Sequence, residues 1–96
     1  MARTSIDATD VAILGRVLQP DKPTLSPEAA RSILALEFGQ ADRERMHQLA
    51  LKAQEGILKA EEEAELENYR RVGNLLSMMK SKARLSLKKA SDIRNS

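Results

Sequence analysis

The sequence contains no cysteine and no tryptophan, and only one phenylalanine, one tyrosine and one histidine. Without cysteine there is no disulfide framework, no thiolate metal site and no cysteine nucleophile, which suits a reducing compartment. With so few aromatics the core must be assembled from Leu, Ile, Val, Met and Ala, which bury less area per residue, so a thin core is expected. The lone histidine, His47, cannot complete a usual zinc set, and Glu61, Glu62, Glu63, Glu65 and Glu67 lack the spacing of a calcium loop. These glutamates read instead as a solvated face. Phosphate-binding glycine loops, a nucleophile elbow and the H-E-x-x-H pair are missing as well. No catalytic residue, metal site or cofactor is therefore expected, and the chain does not read as an enzyme. Nothing approaches eighteen consecutive apolar residues, and "MARTSIDATD" lacks the apolar run of a signal peptide, so a soluble cytoplasmic protein without membrane contact is expected.

What is abundant is charge, and it is unevenly placed. Sixteen Lys and Arg against fourteen Asp and Glu leave a formal net charge of +2. From Glu61 to Glu67 the five glutamates face no cation, whereas from Tyr69 onward eight Lys and Arg face the single Asp92. An average near neutrality thus conceals an acidic turn followed by a basic segment.

Ninety-six residues make one small domain. Residues 1–24 read as an amino-terminal arm, with an apolar block "VAILGRVL" (Val11 to Leu18) and a linker "QPDKPTL" in which Pro20 and Pro23 deny regular structure to the residues before them. The block is short enough for a strand, yet Ile13, Leu14, Val17 and Leu18 share one side of a helix, Asp7 or Thr9 is placed to cap it, and helix is the preferred assignment. Residues 25–90 form the helical domain, and 91–96 a frayed tail. Within it, "SPEAARSILALEFG" starts a helix with Ser26 as cap, Pro27 at the first helical position and Glu28 against the positive end of the dipole. Ala30, Ile33, Leu34 and Phe38 line its inner side and Gly39 stops it. A second helix spans about 42–54 with Met46, Leu49, Ala50 and Ala53 as its stripe, Arg43, Glu44, Arg45, Lys52 and Glu55 outside, and Gly56 as its left-handed stop.

The last helix is the longest. Leu66, Tyr69, Val72, Leu76, Met79, Ala83, Leu87 and Ala90 recur at three- and four-residue spacings, one helical face held for seven turns. From about residue 60 to 90 it would reach roughly 45 Å, more than the two preceding helices can cover. The expected architecture is all-α, with two short helices packed on the amino-terminal part of one long helix. The uncovered half then needs an occupant. Leu76, Met79, Ala83 and Leu87 supply an apolar seam and Lys80, Arg84, Lys88 and Lys89 a basic border, which together suit a protein partner or a second copy of the chain. The alternative is a nucleic-acid-binding accessory protein, with Lys80, Lys82, Arg84, Lys88 and Lys89 meeting phosphates, although no aromatic is available there for stacking on bases.

Three stretches, "LSPEAARSILAL", "ADRERMHQLALKAQEG" and "YRRVGNLLSMMKSKARLSL", carry L-S-P-E-A-A-R, A-D-x-x-R-M, K-A-x-x-G-x-L and Y-x-R-V-G-x-L-L with S-K-A-R. Over about residues 25 to 87 this pattern resembles a family of small helical bacterial proteins. The resemblance implies no catalytic motif. It implies genes that sit beside HNH-type nucleases, hence an antitoxin-like or nuclease-regulating partner protein. The chain departs from that pattern in reading "GILKAEE" where the family commonly reads G-T-L-T-P-E-E. Losing the Thr cap and the following Pro predicts a less sharply fixed start to the last helix.

Overall fold

The computed structural model describes residues 8–95, so Asp7 as a cap, the rest of the expected arm up to residue 7, and Ser96 lie outside the described residues. Four helices follow one another, α1 (Asp10–Leu18), α2 (Pro27–Leu34), α3 (Gln40–Glu55) and α4 (Ala60–Asn95), with no strand among the described residues. The fold is all-α. The block at 11–18 is helical because Thr9 accepts from the Ala12 amide at 3.3 Å and Asp10 lies in the first turn, where the dipole favours an anion.

α2, α3 and α4 start as local chemistry dictates. Ser26 accepts from the Ala29 amide at 3.2 Å with Pro27 at the first position of α2. α2 ends at Leu34, earlier than its apolar spacing suggests, and Phe38 therefore lies in the connector rather than on the helix. Gly39 stops no helix. It is extended and immediately precedes α3, while the Arg43 guanidinium reaches back to the Phe38 carbonyl. α3 ends at Gly56, left-handed at φ 70°, where the Gly56 amide donates to the Ala53 carbonyl and the Ile57 amide to that of Lys52, the paired bonds of a glycine stop motif.

The start of α4 is sharply fixed despite the missing Thr and Pro. The Glu62 carboxylate accepts from the Lys59 amide at 3.0 Å, so an acidic residue three positions into the helix reaches back to the capping position. α4 then continues without interruption to Asn95, through the segment expected to fray.

Packing differs from the expected arrangement in one respect. α3 and α4 are joined by four residues, 56–59, which makes them antiparallel neighbours over the first half of α4. α3 thereby occupies the site expected for both short helices, and α2 lies against the second half of α4, where the Leu25 amide donates to Ser86 Oγ at 3.1 Å. Small residues permit that approach: Ala30 of α2 and Ala83 of α4 have no exposed surface, and Ser86 is buried. α1 also packs on α4, with Gly15 so close to Met78 that an added Cβ would stand 3.2 Å from its sulfur. At the end of α1 the Leu18 carbonyl accepts from Lys82 Nζ at 2.9 Å, and the Gln19 carbonyl, which also accepts from the Lys22 amide at 3.0 Å, does so at 3.2 Å. Lys82 is only 6% exposed, and its cation sits where the α1 dipole is negative.

The core is thin. Among the described residues only Ala30, Leu49 and Ala83 are buried apolar side chains, and α1 contributes none. The radius of gyration is 17.5 Å, against about 12.5 Å for a compact chain of this length.

Two predictions follow from this packing. Replacing Lys82 by Ala removes the charged donor from the Leu18 carbonyl, while Gln19 keeps the Lys22 amide, and should destabilise the chain by about 1.5–3 kcal/mol, with early loss of amide-exchange protection confined to α1. Unchanged protection in 10–18 would disprove the role of Lys82. Gly73 has nothing within 4 Å of an added Cβ, so its presence is not explained by a close backbone. Gly73→Ala should raise stability by about 0.5–1 kcal/mol, read as a higher Tm.

Candidate docking surface

Where α3 ends its run along α4, an ion-paired cluster pins the hairpin. Arg45 donates to both oxygens of Glu65, at 2.6 and 2.8 Å, and Lys52 Nζ donates to Glu62, itself 8% exposed. Arg45 and Lys52 therefore reach across to α4 while staying partly exposed, and two of the five glutamates are structural. The Lys52 hydrogen bond, then the Lys59 amide, hold the Glu62 carboxyl below its ordinary value of 4.5. Arg45 does the same for Glu65. Higher along α4, Tyr69 donates to Asp42 at 2.8 Å, which pushes the phenol up. Glu67 pairs with Arg71 at 3.9 Å, the i,i+4 neighbour, and with Arg70 at 3.7 Å.

Between the α3 hairpin and the α2 contact, the middle of α4 is only partly covered. The connector 35–39 crosses it, and Phe38 meets Tyr69 edge to face with ring centroids 6.0 Å apart. On one side of the connector an open cleft of about 580 Å³ is lined by Leu36, Phe38, Tyr69, Val72 and Leu76, with Glu37, Asp42 and Glu65 at its margin. On the other a smaller cleft is bounded by Phe38, Arg43, Gly73, Leu76 and Lys80. Leu36 is 44% and Val72 47% exposed, a large apolar share in a protein that buries so little.

The structure divides the residues expected to bind a partner. Leu76 and Lys80 line these clefts. Met79 and Leu87 are half-buried further along α4, and Ala83 has no surface to offer: α2 approaches closely enough along this half of the rod for the fold itself to enclose it. Arg84, Lys88 and Lys89 are exposed, and Lys80, Arg84 and Lys88 stand at i, i+4 and i+8, one row along the rod. Lys82, expected to meet phosphates, is turned inward onto α1. The lining residues that the expectation missed are Leu36, Phe38, Tyr69 and Val72. Tyr69 and Val72 belong to the α4 stripe, and Phe38 and Tyr69 are the only two aromatics, so pairing them was the available clue.

Among the described residues no group of three or more His, Cys, Asp or Glu is placed to hold a metal ion. His47 lies exposed on α3 beside Arg43 and Glu44. No described helix is long and apolar enough to cross a membrane. No family model, no curated protein and no solved structure matches the chain.

Because Glu62 and Glu65 have depressed folded-state values, the stability they contribute is complete above the ordinary 4.5 and is lost as pH falls through their lower folded values. Thermal melts should therefore show Tm dropping below about pH 4.5. Glu62→Gln should lower Tm at pH 7 and flatten that acid limb. An acid limb as steep in the variant as in the parent would refute the assignment.

Proposed function

We propose that this chain is a small protein-binding module, antitoxin-like or nuclease-regulating, that docks its partner on the middle and second half of α4. The observation carrying this reading is the apolar cleft at Leu36, Phe38, Val72 and Leu76, held open between two helical supports while the interior of the fold keeps so few apolar side chains. Exposed apolar surface bordered by polar residues is the usual composition of a recognition site. The row Lys80, Arg84 and Lys88, with Lys89 beside it, suits acidic groups on the bound protein and accelerates encounter. A nuclease as the class of partner is what the sequence resemblance implies, and it is part of this proposal.

The test is light scattering and titration with the product of the neighbouring gene. Val72→Glu or Leu76→Glu places a carboxylate in the cleft and should weaken the complex by more than about tenfold, 1.4 kcal/mol, with helicity by circular dichroism unchanged. Arg84→Glu with Lys88→Glu should slow association and reduce its dependence on salt. Unaltered partner binding in the cleft variants, together with loss of DNA or RNA retention in the charge variant, would replace this reading by nucleic-acid binding.

A further inference from the structure

We infer that the solvent face of α4 from Arg70 to Lys88 binds the phosphate backbone of double-stranded nucleic acid without reading its sequence. This goes beyond the docking of a protein in the cleft and uses a different side of the helix.

Charge is the first ground. From residue 68 to residue 91 the chain carries no acid, and the next one along it is Asp92. Within that stretch Lys82 is turned onto α1 and Arg70 and Arg71 pair with Glu67, whereas Lys80, Arg84, Lys88 and Lys89 enter no ion pair among the described residues. Four cations left unneutralised within three helical turns form a positive patch of the kind that meets a polyanion.

Placement is the second. At about 100° per residue, Arg70, Ser77, Ser81, Arg84 and Lys88 fall in one band about 60° wide, with Lys80 at its edge. The band lies across the rod from Ser86, where α2 packs, and about 110° around from Leu76, so a protein seated in the cleft is steered by these cations and leaves the band open. Arg70, Ser77, Arg84 and Lys88 are exposed. The chemistry of the band then selects the ligand. Both aromatics, Phe38 and Tyr69, meet one another beside the cleft, so nothing on the band can stack on an unpaired base as single-strand binders do. Lysine, arginine and serine donors suit phosphate oxygens, contacts that position a protein on a duplex without selecting its sequence. Lys80, Arg84 and Lys88 follow one another at about 6 Å along the axis, so the row meets three or four phosphates at once.

Fluorescence anisotropy of the full chain with labelled duplexes of about 20 base pairs, in two unrelated sequences, tests this between about 50 and 200 mM salt. The two sequences should bind alike within about twofold, and affinity should fall about 40- to 150-fold over that salt range, a log–log slope near −3. Arg84→Gln with Lys88→Gln, both at exposed positions, should weaken binding more than about tenfold at the lower salt and reduce the slope by about 2, with helicity retained. Val72→Gln, in the cleft, should change neither. No binding at about 100 μM protein in the lower salt, a slope unaltered in the charge variant, or a preference for one sequence above about tenfold would each overturn the inference. So would a charge variant that loses the protein partner while holding the duplex as the parent does, since the cations would then belong to that protein. The proposed function fails on a different result, cleft variants that bind the protein partner unaltered.

Discussion

α1, α2 and α3 each approach α4, and no two of them approach one another. All tertiary structure among the described residues therefore hangs on the continuity of a single 36-residue helix. An isolated helix is marginal in water, and its persistence here comes from the faces its neighbours cover. The dependence is reciprocal. α1 and α2 are too short to hold their own hydrogen-bond ladders, and α4 gives them a surface on which to form.

The three attachments use different physics. α3 is held by charge as much as by burial. Leu49 is its one buried residue, and the Arg45–Glu65 and Lys52–Glu62 pairs stand beside it. Glu62 serves twice, closing the start of α4 and receiving the lysine of α3, which couples the helix boundary to the hairpin. α2 is held by close approach of small residues, Ala30 on one side and Ala83 and Ser86 on the other. α1 has no buried residue and is held by Lys82 at its carbonyl end and by the Gly15–Met78 approach. Every buried side-chain polar atom among the described residues has a hydrogen-bond partner, so these polar attachments leave no donor or acceptor stranded.

This division of labour leaves the middle of α4 as the least sheltered stretch of its apolar face. α3 runs along the first half and α2 along the second, because a four-residue link makes the α3–α4 hairpin antiparallel and carries the chain away from the start of the rod. The connector covers the gap only with Phe38, and clefts remain on either side. The open clefts are thus a consequence of topology. They fall nearer the middle of α4 than Arg84, Lys88 and Lys89 do.

Local features were legible in the sequence because they are encoded within a few residues. The Ser26-Pro27 start, the Gly56 stop, the Glu67–Arg71 pair and the unbroken α4 stripe each depend on neighbours one to four positions apart. The preference for helix at 11–18 belongs with them. The early end of α2 did not, since Leu36 and Phe38 continue an apolar pattern that the connector uses for a different purpose. Nor could charge alone tell Lys82 from Lys80, or Glu62 from Glu63. Each pair is close in sequence and chemically alike, yet a step of about 200° from Lys80 to Lys82, or about 100° from Glu62 to Glu63, decides which is enclosed and which keeps more of its surface. Sequence by itself determined the helices, their ends and the total apolar face of α4. Which part of that face was covered was decided only by tertiary structure, because burial depends on contacts between residues some sixty positions apart, such as Leu25 with Ser86 and Leu18 with Lys82.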